Sequence, residues 1–136
     1  MDASVAVKWF LPEEDAEKAD ALASRGDVLL APGIVLSELA NALWKNCHLG
    51  KVDIAIAAAM LRDAPRYFGE LVDPGELLDR AFAIAAAHGH PVYDCLYLAL
   101  AEQRSIPVVT ADRRFQAKFS QTEFGDRVVA LSTVSA

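Results

Sequence analysis

Short runs of Val, Leu, Ile and Ala alternate along this chain with longer stretches in which apolar side chains recur every three or four residues. The short runs fall at Val28 to Ala31, Leu71-Val72, Val108 to Thr110 and Val128 to Leu131, and each predicts a strand. Between them, Glu13 to Ser24 follows Pro12 and stops before Gly26, and Val35 to His48 stops before Gly50, so both read as helices. Asp53 stands where a cap belongs for Ile54 to Leu61, and Asp73-Pro74 opens a helix carrying Leu77, Leu78, Phe82 and Ile84. Tyr93 to Gln103 is apolar on nearly every side, which places it in the interior against a sheet. Strands alternating with helices predict an α/β chain: a central, mainly parallel β-sheet flanked by helices in three layers. No repeat, low-complexity tract or linker breaks the 136 residues, so a single domain spanning 1–136 is expected.

Composition narrows the class. The longest apolar stretch free of Asp, Glu, Lys and Arg, Ala81 to Tyr93, has 13 residues, short of the ~20 that cross a bilayer. The first residues carry Asp2 and the run Trp9 to Glu14 rather than a basic leader with a small-residue cleavage site, so a cytoplasmic protein is expected. Cys47 and Cys95 are too few and too far apart for a disulfide framework or a zinc motif, and read as core thiols. Thirteen Lys and Arg against nineteen Asp and Glu leave a net charge of −6. Such a balance argues against nucleic acid as a partner unless the acid is concentrated for a purpose.

Four carboxylates stand inside apolar surroundings, where ionised groups survive only if paired or bound to a cation. Asp2 opens Ala3-Ser4-Val5-Ala6-Val7, Glu38 interrupts Ile34-Val35-Leu36 and Leu39-Ala40, Asp94 precedes the apolar helix, and Asp112 follows Val108-Val109-Thr110-Ala111. Asp2 and Asp112 belong at strand ends and Glu38 and Asp94 on helices. In an open α/β sheet the carboxyl ends of the strands are where such groups meet. Gathered without a basic partner, they repel one another, and a hard divalent cation such as Mg2+ or Mn2+ removes that conflict through its preference for oxygen. Plainer readings stand beside this one: Asp2 as the cap of a helix starting at Ser4, Asp112 as the cap of one beginning at Arg113, Asp94 as a first-turn acid favoured by the helix dipole. His88 and His90, around Gly89, read as dipole partners of a helix end rather than ligands. Trp9, Trp44, Tyr67 and Phe68 read as core or interface surface rather than base-stacking platforms.

The segments Asp2-Ala3-Ser4-Val5, Leu36-Ser37-Glu38-Leu39-Ala40-Asn41, Tyr93 to Ala101 and Val109-Thr110-Ala111-Asp112-Arg113-Arg114-Phe115 resemble the acidic motifs of PIN-domain nucleases, and of the VapC toxins of bacterial toxin–antitoxin pairs above all. The resemblance spans essentially the whole chain, in order. It implies a metal-dependent endoribonuclease of PIN-like fold, hydrolysing RNA to leave a 5′-phosphate, with the metal-site acids at Asp2, Glu38, Asp94 and Asp112 and the accompanying hydroxyls at Ser4 and Thr110. It also implies a homodimer and a VapB-type antitoxin laid along the helices at Glu13 to Ser24 and Val35 to His48. In the family the first acid ends a central strand, whereas only Met1 precedes Asp2, so this numbering is expected to begin downstream of the natural start or the strand to be very short. Asn41 and Lys45, three and seven residues beyond Glu38, share its helix stripe. Lys45, Arg113 and Arg114, with Lys8, are the candidate RNA contacts, although each also suits an ordinary solvated surface.

Two other classes remain: a PIN-like binding module without nuclease activity, and a metal-dependent phosphatase. The second lacks the further Asp two residues after Asp2 that haloacid-dehalogenase-type phosphatases carry. With the four site acids set aside, 13 basic residues face 15 acidic ones, so most of the charge excess belongs to the proposed metal site.

Overall fold

The computed structural model describes residues 1–136. Its elements in chain order are α1 (Ala3–Ala6), α2 (Ala16–Ser24), β1 (Leu30–Pro32), α3 (Ile34–His48), α4 (Ile54–Asp63), β2 (Glu70–Val72), α5 (Leu78–His88), α6 (Val92–Arg104), β3 (Val108–Thr110), α7 (Arg113–Phe119) and β4 (Val128–Ala130). All strand pairing is parallel, as the alternation of element types predicts. β1 pairs with β2 in the register Leu30 to Glu70, and β3 with β4 in the register Val108 to Val128. The helices supply the long crossovers that parallel strands require.

The sheet comes in two halves, and the first two residues lie between them. The Met1 ammonium donates to the Leu30 carbonyl of β1 at 3.2 Å, and the Asp2 N–H donates to the Val109 carbonyl of β3 at 3.2 Å. Asp2 is extended, with φ −98° and ψ 178°, and the chain then turns at once into α1. Its carboxylate accepts from the Ser4 N–H at 3.1 Å, so the cap reading of Asp2 holds. Asp112 likewise caps α7, accepting from the N–H groups of Arg114 and Phe115 at 2.9 and 3.2 Å.

Element starts differ from the sequence reading where local geometry intervenes. α2 begins at Ala16, three residues later than expected, because Asp15 adopts the left-handed region at φ 62°. Asp73 does cap, through the Gly75 N–H at 2.9 Å, but it opens a 3-10 turn over Pro74–Glu76, and α5 follows from Leu78. Val28 is exposed and the first strand starts at Leu30.

Every residue of α6 from Cys95 to Ala101 is buried, as its apolar run predicts. This helix packs beside α5 and against β1 and β3, inside a core that includes Val5, Leu22, Val35, Leu77, Phe115, Phe119 and Leu131. Trp9 stacks on Tyr67 at 4.4 Å between ring centroids, meets Phe68 edge-on, and donates its indole N–H to the Ala19 carbonyl at 2.9 Å. Trp44, by contrast, stands exposed on α3. No helix is long and apolar enough to cross a membrane.

Candidate active site

Asp2 is the buried acid of the fold, only 6% exposed. One carboxylate oxygen, Oδ1, accepts from the Ser4 N–H and from the Ser4 hydroxyl at 2.5 Å, and the other, Oδ2, accepts from the Thr110 hydroxyl at 2.5 Å. Each hydroxyl is itself anchored: Ser4 Oγ accepts from the Ala111 N–H at 2.9 Å, and Thr110 Oγ1 from the Asp112 N–H at 3.0 Å. Ser4 and Thr110 thus tie the end of β3 to the start of α1 through the carboxylate. Burial pushes the Asp2 carboxyl above its ordinary value, and the hydroxyl donors and the Met1 ammonium pull only partly in the other direction.

Glu38 enters from the middle of α3. Its Oε1 accepts from the Tyr97 phenol of α6 at 2.6 Å. Burial lifts this carboxyl as well, and the negative charges of Asp2 and Asp94 add to the rise against the Tyr97 hydrogen bond. The Tyr97 phenol is almost completely buried and faces Glu38, so its ionisation is pushed far upward and it remains a donor. Asp94, in the first turn of α6, meets His90 Nε2 through Oδ2 at 2.7 Å.

Glu38 and Asp94 line a groove of about 610 Å³ together with Ser4, Asn41 and Lys45. Asn41 and Lys45 lie on the Glu38 side of α3, as their spacing predicts, and Lys45 makes no ion pair. Asp112 lies elsewhere. It is exposed, and with Lys8, Thr110, Arg113 and Gln116 it lines a neighbouring cavity of about 230 Å³. Arg113 reaches Glu14 at 3.8 Å across open solvent, and Arg114 is exposed on α7. The structure therefore brings Asp2, Glu38 and Asp94 within electrostatic reach of one another, while Asp112 joins them only through its main-chain hydrogen bond to Thr110.

No three of these side chains converge on one point as a closed set of direct ligands. The donor set is nonetheless all oxygen, and two of its carboxyls are held above their ordinary values, by burial first and by neighbouring acids second. That chemistry fits a hard divalent cation, which keeps part of its hydration shell and needs few protein ligands.

Sequence reasoning missed two members of the site. By sequence Tyr97 reads as part of the apolar run of α6, although it stands three residues beyond Asp94, on the same helix stripe. His90 reads by sequence as a dipole partner of a helix end, yet it follows the C-cap Gly89 of α5 and donates to the acid four residues on. The signal in both cases was spacing from Asp94.

Comparison with known proteins gives the family. The family profile described as the PIN domain matches residues 1–119. Ribonuclease VapC3 of Pyrobaculum aerophilum is 36% identical over 121 residues, covering 88% of this chain and 92% of that protein. Exonuclease VapC9 of the same organism is 38% identical over 85 residues, 62% of each chain. The crystal structure of PAE2754 from Pyrobaculum aerophilum superimposes with a TM-score of 0.70 at 31% identity, covering 97% of this chain and 82% of that one. By the match to the family profile and by these relatives, the chain belongs to the PIN-domain family, in its VapC branch.

Proposed function

We propose that the protein is a metal-dependent endoribonuclease, the toxin of a VapBC-type pair, which hydrolyses phosphodiester bonds of RNA in the cytoplasm. The observation that carries this reading is the pairing of Glu38 and Asp94 on a groove edged by Lys45, with the buried Asp2 hydrogen-bonded to groove-lining Ser4 and two of the three carboxyls held above their ordinary values. The names of the two relatives, a ribonuclease and an exonuclease, support a nuclease.

Asp2, Glu38 and Asp94 would hold Mg2+ or Mn2+, with Asp112 as a further acid beside Thr110. A bound divalent cation supplies Lewis acidity toward a phosphate oxygen and lowers the pKa of water. The protein's own groups do the rest. Ser4 and Thr110 fix the Asp2 carboxylate, Tyr97 fixes that of Glu38, and no residue is required as a covalent nucleophile. Lys45 and Asn41, on the stripe of Glu38, draw the RNA backbone into the groove, and Arg113 beside Asp112, with the exposed Arg114 next to it in α7, extends that path. A homodimer and a VapB-type antitoxin are the proposed partners, and the exposed Trp44, Ile54, Ile56 and Phe82 provide apolar surface for such contacts.

The test is cleavage of linear and circular single-stranded RNAs by the purified chain, freed of any bound partner, with Mg2+ or Mn2+ and with Asp94→Asn alongside. Cutting of the circle, lost in the variant, is the expected result and identifies an endonuclease. If no RNA is cut and Asp94→Asn behaves identically, the reading fails.

A further inference from the structure

Asp2, Glu38 and Asp94 each have their own hydrogen-bond donors, and the donors differ in how much of the carboxylate they take. Ser4 and Thr110 engage both oxygens of Asp2. Tyr97 engages Oε1 of Glu38 alone, and His90 engages Oδ2 of Asp94 alone. Glu38 Oε2 and Asp94 Oδ1 accept no hydrogen bond from the protein, so the two groove-lining acids each keep one free oxygen.

His90 is held for this task more firmly than a surface ion pair is. Gly89 is the C-cap of α5, in the left-handed region at φ 61°, and Pro91 is the N-cap of α6, so His90 is the single residue between two helix caps. Its N–H is bound to the Ala85 carbonyl at 3.2 Å. The ring is inclined 28° to that of Phe115 at 6.1 Å between centroids and meets Phe119 edge-on at 5.2 Å, and the side chain is 16% exposed. With the ring walled in by two buried aromatics, the direction of the Nε2–H bond is set by packing. The contact with Asp94 needs only a proton on Nε2, which the neutral Nε2–H tautomer and the imidazolium both carry.

From this geometry we infer that His90 is a positioning residue for Asp94: its Nε2–H occupies Oδ2 and orients the carboxylate so that Oδ1 is the oxygen offered to a divalent cation. The inference rests on the metal-dependent reading of the groove. Donors placed behind ligating carboxylates fix their orientation, and their loss weakens metal affinity by about 10- to 100-fold.

The measurement is Mn2+ affinity of the purified chain by isothermal titration calorimetry, with thermal melting in EDTA run beside it. His90→Phe keeps an aromatic ring against Phe115 and Phe119 and deletes the donor, whereas His90→Gln restores an N–H near the position of Nε2. The expected result is Mn2+ binding about 10- to 100-fold weaker in His90→Phe, largely recovered in His90→Gln, with all three proteins melting cooperatively in EDTA. Wild-type affinity in His90→Phe, or a Gln variant as weak as the Phe variant, overturns the assignment of His90 and leaves the nuclease reading standing. If the wild-type chain itself takes up no Mn2+, the metal-dependent reading falls and the role of His90 falls with it.

Discussion

Thr110 carries more of the site than its size suggests, and replacing it by Val isolates what its hydroxyl does. The side chain is 1% exposed, donates to Asp2 Oδ2 at 2.5 Å, and accepts from the Asp112 N–H at 3.0 Å. Val preserves the shape and removes both bonds. A hydrogen bond to a charged, buried partner contributes about 1.5–3 kcal/mol, and the burial of Asp2 keeps water from replacing the donor. An unfolding entropy of about 2.1 cal/mol/K per residue gives ~0.29 kcal/mol per degree over this length, so Thr110→Val melts ~5–10 °C lower at neutral pH. Thr110→Ser, which keeps the hydroxyl and gives up one buried methyl group worth ~0.8 kcal/mol, melts only ~3 °C lower. The gap between Val and wild type also has a pH dependence of fixed sign. Burial raises the Asp2 carboxyl in the fold, so the stability linked to its proton is fully present below the ordinary Asp range and is lost as pH rises through the raised folded value. Removing a donor that favours the charged form raises that value further, and the deficit of Thr110→Val widens from pH 4 to pH 7.5. Differential scanning fluorimetry in EDTA across that range measures all three proteins. A Val variant as stable as the Ser variant at pH 7.5, or a gap that narrows with pH, refutes the reasoning.

The burial of Glu38, with the charges of Asp2 and Asp94 added, makes the effect of Glu38→Gln change sign with cation. In EDTA at pH 7.5 the variant melts higher than wild type, by ~1 kcal/mol or less because Glu38 is only half-buried, and in millimolar Mn2+ it loses the stabilisation that wild type gains. Tyr97→Phe removes the donor to Glu38 Oε1, raises the Glu38 carboxyl still further, and weakens Mn2+ uptake measured by calorimetry, whereas a purely packing role leaves that uptake unchanged. Cys95 is buried, with its thiol pushed up to about 11 by burial and by Asp94, so only Cys47 reacts with a disulfide reagent at pH 8 until the protein is unfolded. Lys45→Glu raises the KM for RNA severalfold and flattens its salt dependence by about one phosphate, with Mn2+ affinity little changed; an unaltered salt slope excludes Lys45 from the RNA path.

Much of this protein is written in one dimension. Helix and strand periods differ, so the order of elements and the burial of α6 follow from where apolar residues recur, and the four acids stand out because charge inside an apolar run needs a reason. Caps are equally local: Asp2, Asp53, Asp73 and Asp112 each bond an N–H two residues ahead, a reach sequence spacing already encodes. Element starts were less legible, since the left-handed turn at Asp15 and the 3-10 turn after Asp73 are backbone choices that neighbouring contacts decide.

What only the tertiary structure decided is which of these residues face one another. Asp2 meets Thr110 across 108 positions and Glu38 meets Tyr97 across 59, distances that no local pattern spans. The same packing separates Asp112, whose carboxylate is occupied at the N-terminus of α7 and exposed, from the groove that holds Glu38 and Asp94. It also turns a histidine and a tyrosine, unremarkable by composition, into the donors behind those two acids. Residue types determine which chemistry is available, but the raised carboxyls of Asp2 and Glu38 arise from burial first and from the charge of neighbouring acids, Asp94 in both cases. Both are properties of the folded arrangement, in which water is excluded and distant segments are brought within a few ångströms.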